Sequence, residues 1–334
     1  MILYIGNNIH SKTNNVTYMV TLSNLLKEEG FELLLTSSKK NQLLRMLDML
    51  LSILKYRKKI SYIFIDTYST RNFYYALACS QLSRLFNLKY IPILHGGNLP
   101  SRLKSSSKMC KLIFKHSYRN IAPSNYLKDA FENKGYETTF IPNVLDINAY
   151  KFKIREKFIP SLLYVRAFDK IYNPQMAVSV LSELLIKHPS SKLCMVGPDK
   201  DGSLQECKNL AMSLGVSEFI EFKGLLSKTE WHKLSEEFDL FINTTNIDNT
   251  PVSILEAMAL GLPVVSTDVG GIPYLIEDSV TGILVSSNDI QGMVNRIVKY
   301  LDAQKDLQYI AQNARKKVEY FDWNTVKQRW IDIL

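Results

Sequence analysis

The chain has 334 residues, 46% of them apolar, which is material for two compact domains with a core each. Its 18 tyrosines and 15 phenylalanines exclude a disordered or low-complexity protein, and its four cysteines (Cys79, Cys110, Cys194, Cys207) have the spacing of neither a disulfide framework nor a metal site. The net charge of +9 is carried unevenly: residues 1–160 hold 24 Lys and Arg against 10 Asp and Glu, and residues 161–334 hold 17 against 22, so the first half should be drawn to something anionic.

The opening MILYIGNN reads directly as a strand, without the basic and then apolar pattern of a leader peptide. Short β-rich runs then alternate with helical patterns: strand 2–6, helix 16–29 closed by Gly30, strand 31–37, helix 42–58, strand 61–66, helix 72–86 and strand 89–96. The apolar run 43–54 is interrupted by Arg45 and Asp48, so it does not read as a membrane span. A basic helical segment follows at about 105–117, then NIAPS (120–124), a helix ending at Gly135, and TTFIPN (138–143).

A break comes at 148–160, where a charged segment ends in Pro160. A second series then starts: strand 161–167, helix 174–187, strand 192–197, helix 203–214, strand 219–224, helix 229–236, strand 240–245, helix 252–260, strands 263–267 and 281–285, and helix 289–301. The last segment, YFDWNTVKQRWIDIL, reads as a separate amphipathic helix bridging back to the first domain. Strict alternation predicts an α/β protein of two doubly wound, mostly parallel sheets, with domains at 1–160 and 161–318 and a crossover helix at 319–334. Such sheets bind ligands at the carboxyl ends of their strands, so the expected site is the cleft between the two domains.

The stretch DNTPVSILEAMALGLPVVSTDVGG (248–271) is the most informative. Asp248 lies just past a strand, and Pro251 suits a first helical turn because it has no N–H to leave orphaned. The amides of Val252 and Ser253 are then free to hold an anion, with Glu256 one turn into the helix. Carboxylates accept hydrogen bonds from hydroxyls and do not bind phosphate, so the pattern asks for a ligand carrying a diphosphate and several hydroxyls, which describes a nucleotide sugar. The plainer reading makes Asp248 a loop residue and Glu256 a helix-dipole partner. Gly270 and Gly271 permit close backbone approach or mark an ordinary loop. Arg166 and Lys170, at a strand's end, can neutralise a diphosphate or be surface charges. His95, ending a strand of the first half, can bond a sugar hydroxyl as neutral imidazole or be structural. Asp199-Lys200-Asp201 reads as a solvated turn and helix cap rather than a metal site.

These segments resemble the retaining glycosyltransferases of family 4, the glycosyl transferases group 1 enzymes of GT-B architecture. The resemblance covers nearly the whole chain and is strongest over 161–290: VRAFDKIYNP is similar to the family's Gly-Arg…Lys-Gly segment, and DNTPVSILEAMALGLPVVSTDVGGIPYLIEDSVTGILV to its Glu-x7-Glu region and following Gly-Gly. It implies two Rossmann-like domains facing across a cleft, with the C-terminal helix crossing back to the first. By position, Glu256 matches the glutamate that bonds the ribose hydroxyls, Asp248 the one that contacts the transferred sugar, and Arg166 the diphosphate-binding arginine. His95 resembles a histidine near donor sugar and acceptor, and Gly224-Leu225-Leu226 the stretch that receives the base. Departures are Asp248 for glutamate, Asn249-Thr250-Pro251 for Gly-Phe-Gly, Val165 for glycine, and Ile171 where the lysine stands, Lys170 being the nearest substitute. The glycine-rich loop of the first domain is replaced by NNIHSKTNN (7–15).

Together these readings place catalysis on His95, Arg166 and Asp248, and donor binding on Lys170, Gly224, Leu225, Thr250, Val252, Ser253, Glu256, Gly270 and Gly271. The resemblance implies transfer of a sugar, with retention, from a UDP- or GDP-linked donor to a glycan or lipid-linked hydroxyl in cell-surface polysaccharide or glycolipid synthesis. No metal or other cofactor is expected: Arg166 and the helix amides answer the leaving group's charge while domain closure excludes water. Lys104, Lys108, Lys111 and Lys115 share one face if helical, with Leu112, Ile113 and Phe114 as apolar body, and Lys58 and Lys59 follow the apolar run. They suggest contact with anionic lipid headgroups, hence a cytoplasmic protein peripheral on the inner face of the membrane; the alternative is a solvated basic surface. No nucleic-acid recognition motif is visible. The competing functions are a nucleotide-sugar epimerase of the same architecture and a non-catalytic nucleotide-sugar-binding subunit.

Overall fold

The computed structural model describes residues 1–8 and 17–334, so most of the segment 7–15 lies outside the described residues. The chain divides into two units, residues 1–144 with 323–334, and residues 145–322.

In the first unit, β1 (Ile2–Ile5), α1 (Tyr18–Glu28), β2 (Leu33–Thr36), α2 (Gln42–Tyr56), β3 (Tyr62–Tyr68), α3 (Phe73–Leu85) and β4 (Lys89–His95) follow in turn. Then come α4 (Leu99–Ser105), α5 (Ser107–Phe114), β5 (Asn120–Ala122), α6 (Asn125–Glu132) and β6 (Thr138–Phe140). The six strands form one parallel sheet in the order β2-β1-β3-β4-β5-β6. β1 is buried throughout and reads as an unbroken apolar run because helices cover both faces of the sheet. Met49, Ile53, Phe73 and Ile113, from α2, α3 and α5, pack on one face. Met19 and Leu22 of α1 pack on the other, together with Trp330 from the end of the chain.

The second unit holds β7 (Ser161–Val165), α7 (Pro174–Lys187), β8 (Lys192–Val196), α8 (Ser203–Ser213), β9 (Ile220–Gly224), α9 (Lys228–Leu234) and β10 (Leu240–Asn243). It continues with α10 (Val252–Ala259), β11 (Val264–Thr267), α11 (Ile272–Leu275), β12 (Ile283–Val285), α12 (Ile290–Asp302) and α13 (Gln304–Glu319). Its parallel sheet runs β12-β11-β10-β7-β8-β9, so two doubly wound, Rossmann-like domains are present. α14 (Trp323–Ile331) belongs to the first unit.

The boundary falls after Val144, earlier than the expected 160, because the intervening segment is tied to the second unit. Leu145 donates to the Phe321 carbonyl, and buried Arg155 donates to the carbonyls of Ser235, Phe238 and Gly261. Charge made this segment read as a linker, yet Arg155 is satisfied indoors by backbone oxygens. The basic segment expected as one helix is two: Ser106, at φ −132° and ψ 40°, breaks α4 from α5. Three consecutive serines, 105–107, offer the backbone local side-chain alternatives to helical bonding there.

Candidate functional site

β10 pairs directly with β7, which sets the chain after Val165 beside the loop that leads into α10. Arg166 and Asp248 meet there in a salt bridge, with side chains 21% and 12% exposed. The Arg166 guanidinium also lies 4.3 Å over the Tyr172 ring, and the other Asp248 oxygen accepts from the Asn249 amide at 2.8 Å. Burial pushes the Asp248 carboxyl above its ordinary pKa, while Arg166 and the Asn249 amide pull the other way.

The loop is held from below by two glycines. Gly271 donates to the Asp248 carbonyl at 2.9 Å, and a Cβ there would lie 1.9 Å from the Asn249 oxygen. A Cβ on Gly270, at φ +57°, would lie 2.0 Å from the Asp248 oxygen. The pair therefore admits the protein's own backbone. Gly197 acts likewise behind Arg166, whose carbonyl a Cβ would meet at 1.9 Å.

In α10 the amides of Ile254 and Leu255 both bond the Pro251 carbonyl, so Val252 and Ser253 carry the unpaired first-turn N–H groups. Around this helix start, Arg166 Nε, Thr250 Oγ1 and Ser253 Oγ are buried without a hydrogen-bond partner. Buried polar atoms without partners are costly, and three of them together fit an anion with several acceptor oxygens.

One turn on, Glu256 is 3% exposed. Its Oε1 accepts from the Tyr150 hydroxyl at 2.9 Å and lies 2.8 Å from Lys228 Nζ, both contacts falling on the same oxygen. The Tyr150 ring lies against His232, tilted at 49° with centroids 4.8 Å apart. Burial, with Lys228 as the lesser cause, pushes the His232 imidazole from 6.5 down to about 4, so it is neutral. Gly224 ends β9 at φ +66°, and Leu225 after it is half exposed on the approach to α9.

Lys170 does not join this group. It sits on a 3-10 turn, Lys170–Tyr172, and its ammonium lies 3.5 Å from Glu206 with the side chain 68% exposed. Lys228, at the start of α9, is the lysine that reaches the buried carboxylate; sequence reasoning missed it, along with Tyr150 and Tyr172. The carboxylates of Asp199 and Asp201 accept from amides at the start of α8, as a turn and cap.

In the first unit, His95 ends β4 and is 8% exposed. Its Nε2 lies 2.8 Å from Asp66 Oδ1, which also accepts from the Tyr4 hydroxyl at 3.0 Å. Tyr68 stacks on the imidazole at 4.8 Å, and Tyr18 meets it edge-on at 6.0 Å. One ring nitrogen is therefore committed, leaving Nδ1 for any ligand. Asp66 was missed, although it stands near the carboxyl end of a strand. Gly6 gives it room, since a Cβ there would lie 2.5 Å from Asp66 Oδ2.

Lys104, Lys108 and Lys111, although divided between α4 and α5, line one groove of about 480 Å³ with Lys134 and Tyr136. Lys115, Lys58 and Lys59 are exposed. Of the apolar body expected among them only Leu112 faces outward; Ile113 and Phe114 are buried in the core.

The family model described as glycosyl transferases group 1 matches residues 147–317. The amylovoran biosynthesis glycosyltransferase AmsK of Erwinia amylovora is 31% identical over 125 residues, 36% of this chain and 28% of that protein. Glycogen synthase of Mycobacterium tuberculosis is 27% identical over 194 residues, 57% of this chain and 46% of that protein. The chain thus spans less than half the length of these relatives. Among solved structures, Anabaena HepE in complex with UDP superposes with a TM-score of 0.79 at 18% identity, covering 99% of this chain and 98% of that one. Sucrose-phosphate synthase of Thermosynechococcus elongatus superposes with a TM-score of 0.82 at 15% identity, covering 99% and 97%.

Proposed function

Because the chain belongs to the glycosyl transferases group 1 family, we propose that it transfers a sugar from a UDP- or GDP-linked donor to a hydroxyl of a glycan or lipid-linked acceptor. The product would be a cell-surface polysaccharide or glycolipid; the relative AmsK is described as an amylovoran biosynthesis glycosyltransferase. The carrying observation is that Thr250 Oγ1 and Ser253 Oγ at the start of α10, and Arg166 Nε, whose guanidinium pairs with Asp248 in the loop before it, are all buried without partners.

In this reading the diphosphate sits on the Val252 and Ser253 amides and draws Arg166 from Asp248. Asp248, released from its ion pair, accepts from a hydroxyl of the transferred sugar. Glu256 receives the ribose hydroxyls on Oε2, while Tyr150 and Lys228 hold Oε1 and keep the carboxylate oriented. The base lies against Leu225 beyond Gly224. Transfer proceeds with retention: the acceptor hydroxyl approaches beside the departing phosphate, which takes its proton. Arg166 and the helix amides stabilise the charge that develops, and no metal is required by the scheme. HepE, which superposes over nearly the whole chain, has been seen with UDP-glucose, which favours UDP as the first donor to try. The basic residues Lys58, Lys59, Lys104, Lys108, Lys111 and Lys115 would bring the enzyme to an anionic membrane surface presenting its acceptor.

The test is a thermal-shift panel of UDP-, GDP- and ADP-sugars, followed by transfer assays with the best binder. Glu256→Ala should weaken donor binding about tenfold or more, for a hydrogen-bonded buried carboxylate. Asp248→Ala should chiefly reduce turnover. Wild-type behaviour of both variants overturns the site. Interconversion of the donor with no acceptor present points instead to an epimerase.

A further inference from the structure

The apolar run of α2 looked unfit for a bilayer because Arg45 and Asp48 interrupt it, but the fold turns both beneath the helix. Arg45 is buried and donates to Asn7 Oδ1 and to the carbonyls of Lys39 and Lys40 at 2.7–2.8 Å. Asp48 accepts from the Thr36 hydroxyl on β2 at 3.3 Å. With these charges underneath, the outer face is leucine: Leu43, Leu44, Leu47 and Leu51 are 71%, 57%, 55% and 60% exposed. Positions i, i+1, i+4 and i+8 fall on one side of a helix. The inner face packs through Met49 and Ile53 beside buried Arg45. Apolar side chains on the inner face are spent on the core, whereas the outer leucine row has nothing over it among the described residues.

The patch is not an isolated accident. Among the described residues, every exposed large apolar side chain of the first unit falls between Leu43 and Tyr118, and none is on α1 or α14. Cations stand at both ends of the leucine row: Lys39 and Lys40 before α2, and Arg57, Lys58 and Lys59 after it, all exposed. Two copies packed antiparallel through this face would set these cations against one another. An anionic lipid surface would meet them favourably while taking up the leucines. No helix among the described residues is long and apolar enough to cross a membrane, so the mode is lying on the surface.

We propose that α2 is a membrane-docking helix, whose leucine row enters the boundary layer of an anionic bilayer while its flanking lysines and arginine engage the headgroups. This deepens the membrane contact proposed above and adds an apolar component that charge alone did not imply.

The test is flotation of the protein with phosphatidylcholine vesicles, with and without phosphatidylglycerol, alongside its sedimentation in the absence of lipid. The wild type should float with the anionic vesicles only. Leu47→Ser with Leu51→Ser should lower partitioning about tenfold or more, since each substitution removes apolar area from burial. Lys58→Gln with Lys59→Gln should lower it about thirtyfold, at about 1 kcal/mol per basic residue. Both pairs are on the surface, so thermal unfolding and UDP-sugar shifts should match wild type. Unchanged partitioning of the leucine variant overturns the proposal, as does a wild type that ignores anionic vesicles. So does a stable dimer that the leucine substitutions dissolve, which would make the face a contact between copies. Flotation needs no turnover, so its failure leaves the transferase reading standing, and failure of every donor leaves the docking helix standing.

Discussion

A methyl group at Gly271 would sit 1.9 Å from the carbonyl oxygen of Asn249, closer than any packing tolerates. The glycine pair reads in sequence as room for a ligand, but the backbone it admits first is that of 248–249. Gly271→Ala should therefore cost about 1–3 kcal/mol of stability through overpacking and loosen the Arg166–Asp248 pair. Urea unfolding and a UDP-sugar thermal shift measure the two effects, and a variant equal to wild type in both refutes the account. The places of Arg166 after a strand, of Asp248 in the loop before a helix and of Glu256 within that helix were legible because strand ends and helix starts are local patterns. Tyr150 was not, because it reaches Glu256 across 106 residues, a pairing no local pattern announces. Lys170, on its 3-10 turn, stands beside Glu206 and apart from the Arg166–Asp248 pair.

At the scale of elements, alternation of strand and helix made both parallel sheets readable, since doubly covered strands are continuous apolar runs. Four-residue α11 escaped because so short a segment has no periodicity to show. The break at Ser106 escaped because lysine spacing carries no information about serine backbone geometry. A pH dependence follows from α9. His232 has a folded pKa near 4 against an ordinary 6.5, with burial the main cause, and its Nε2 is buried without a partner. Above pH 6.5 both folded and unfolded chains hold it neutral, and its contribution is complete. Between 6.5 and about 4 the unfolded chain takes a proton that the folded chain refuses, so stability falls as pH drops. His232→Gln should flatten that fall by the slope of one proton. Urea midpoints at several values across the window check it, and an equal slope in both proteins removes His232 as the cause.

At the scale of the whole molecule, the chain leaves the first unit after Val144 and returns to it at Trp323. The returning helix is integral. Trp330 is fully buried with its ring 5.4 Å from Phe64, and Trp323 Nε1 and Lys327 Nζ both reach Glu29. Trp330→Ala should remove about 3–5 kcal/mol from the first unit, the usual cost of a buried tryptophan. Denaturation followed by limited proteolysis should show cuts within residues 1–144 at denaturant concentrations that the wild type withstands, and an unaltered cutting pattern would count against α14 as a core element.

That returning helix also fixes an order of events during synthesis. The sheet of the first unit is translated before the whole second unit, and its covering strip after it. A nascent chain stalled before residue 323 thus holds Phe64 without its aromatic lid, however long it waits. The amino-terminal half is made early and finished late, and in the interval its uncovered apolar seam is a natural landing place for a chaperone.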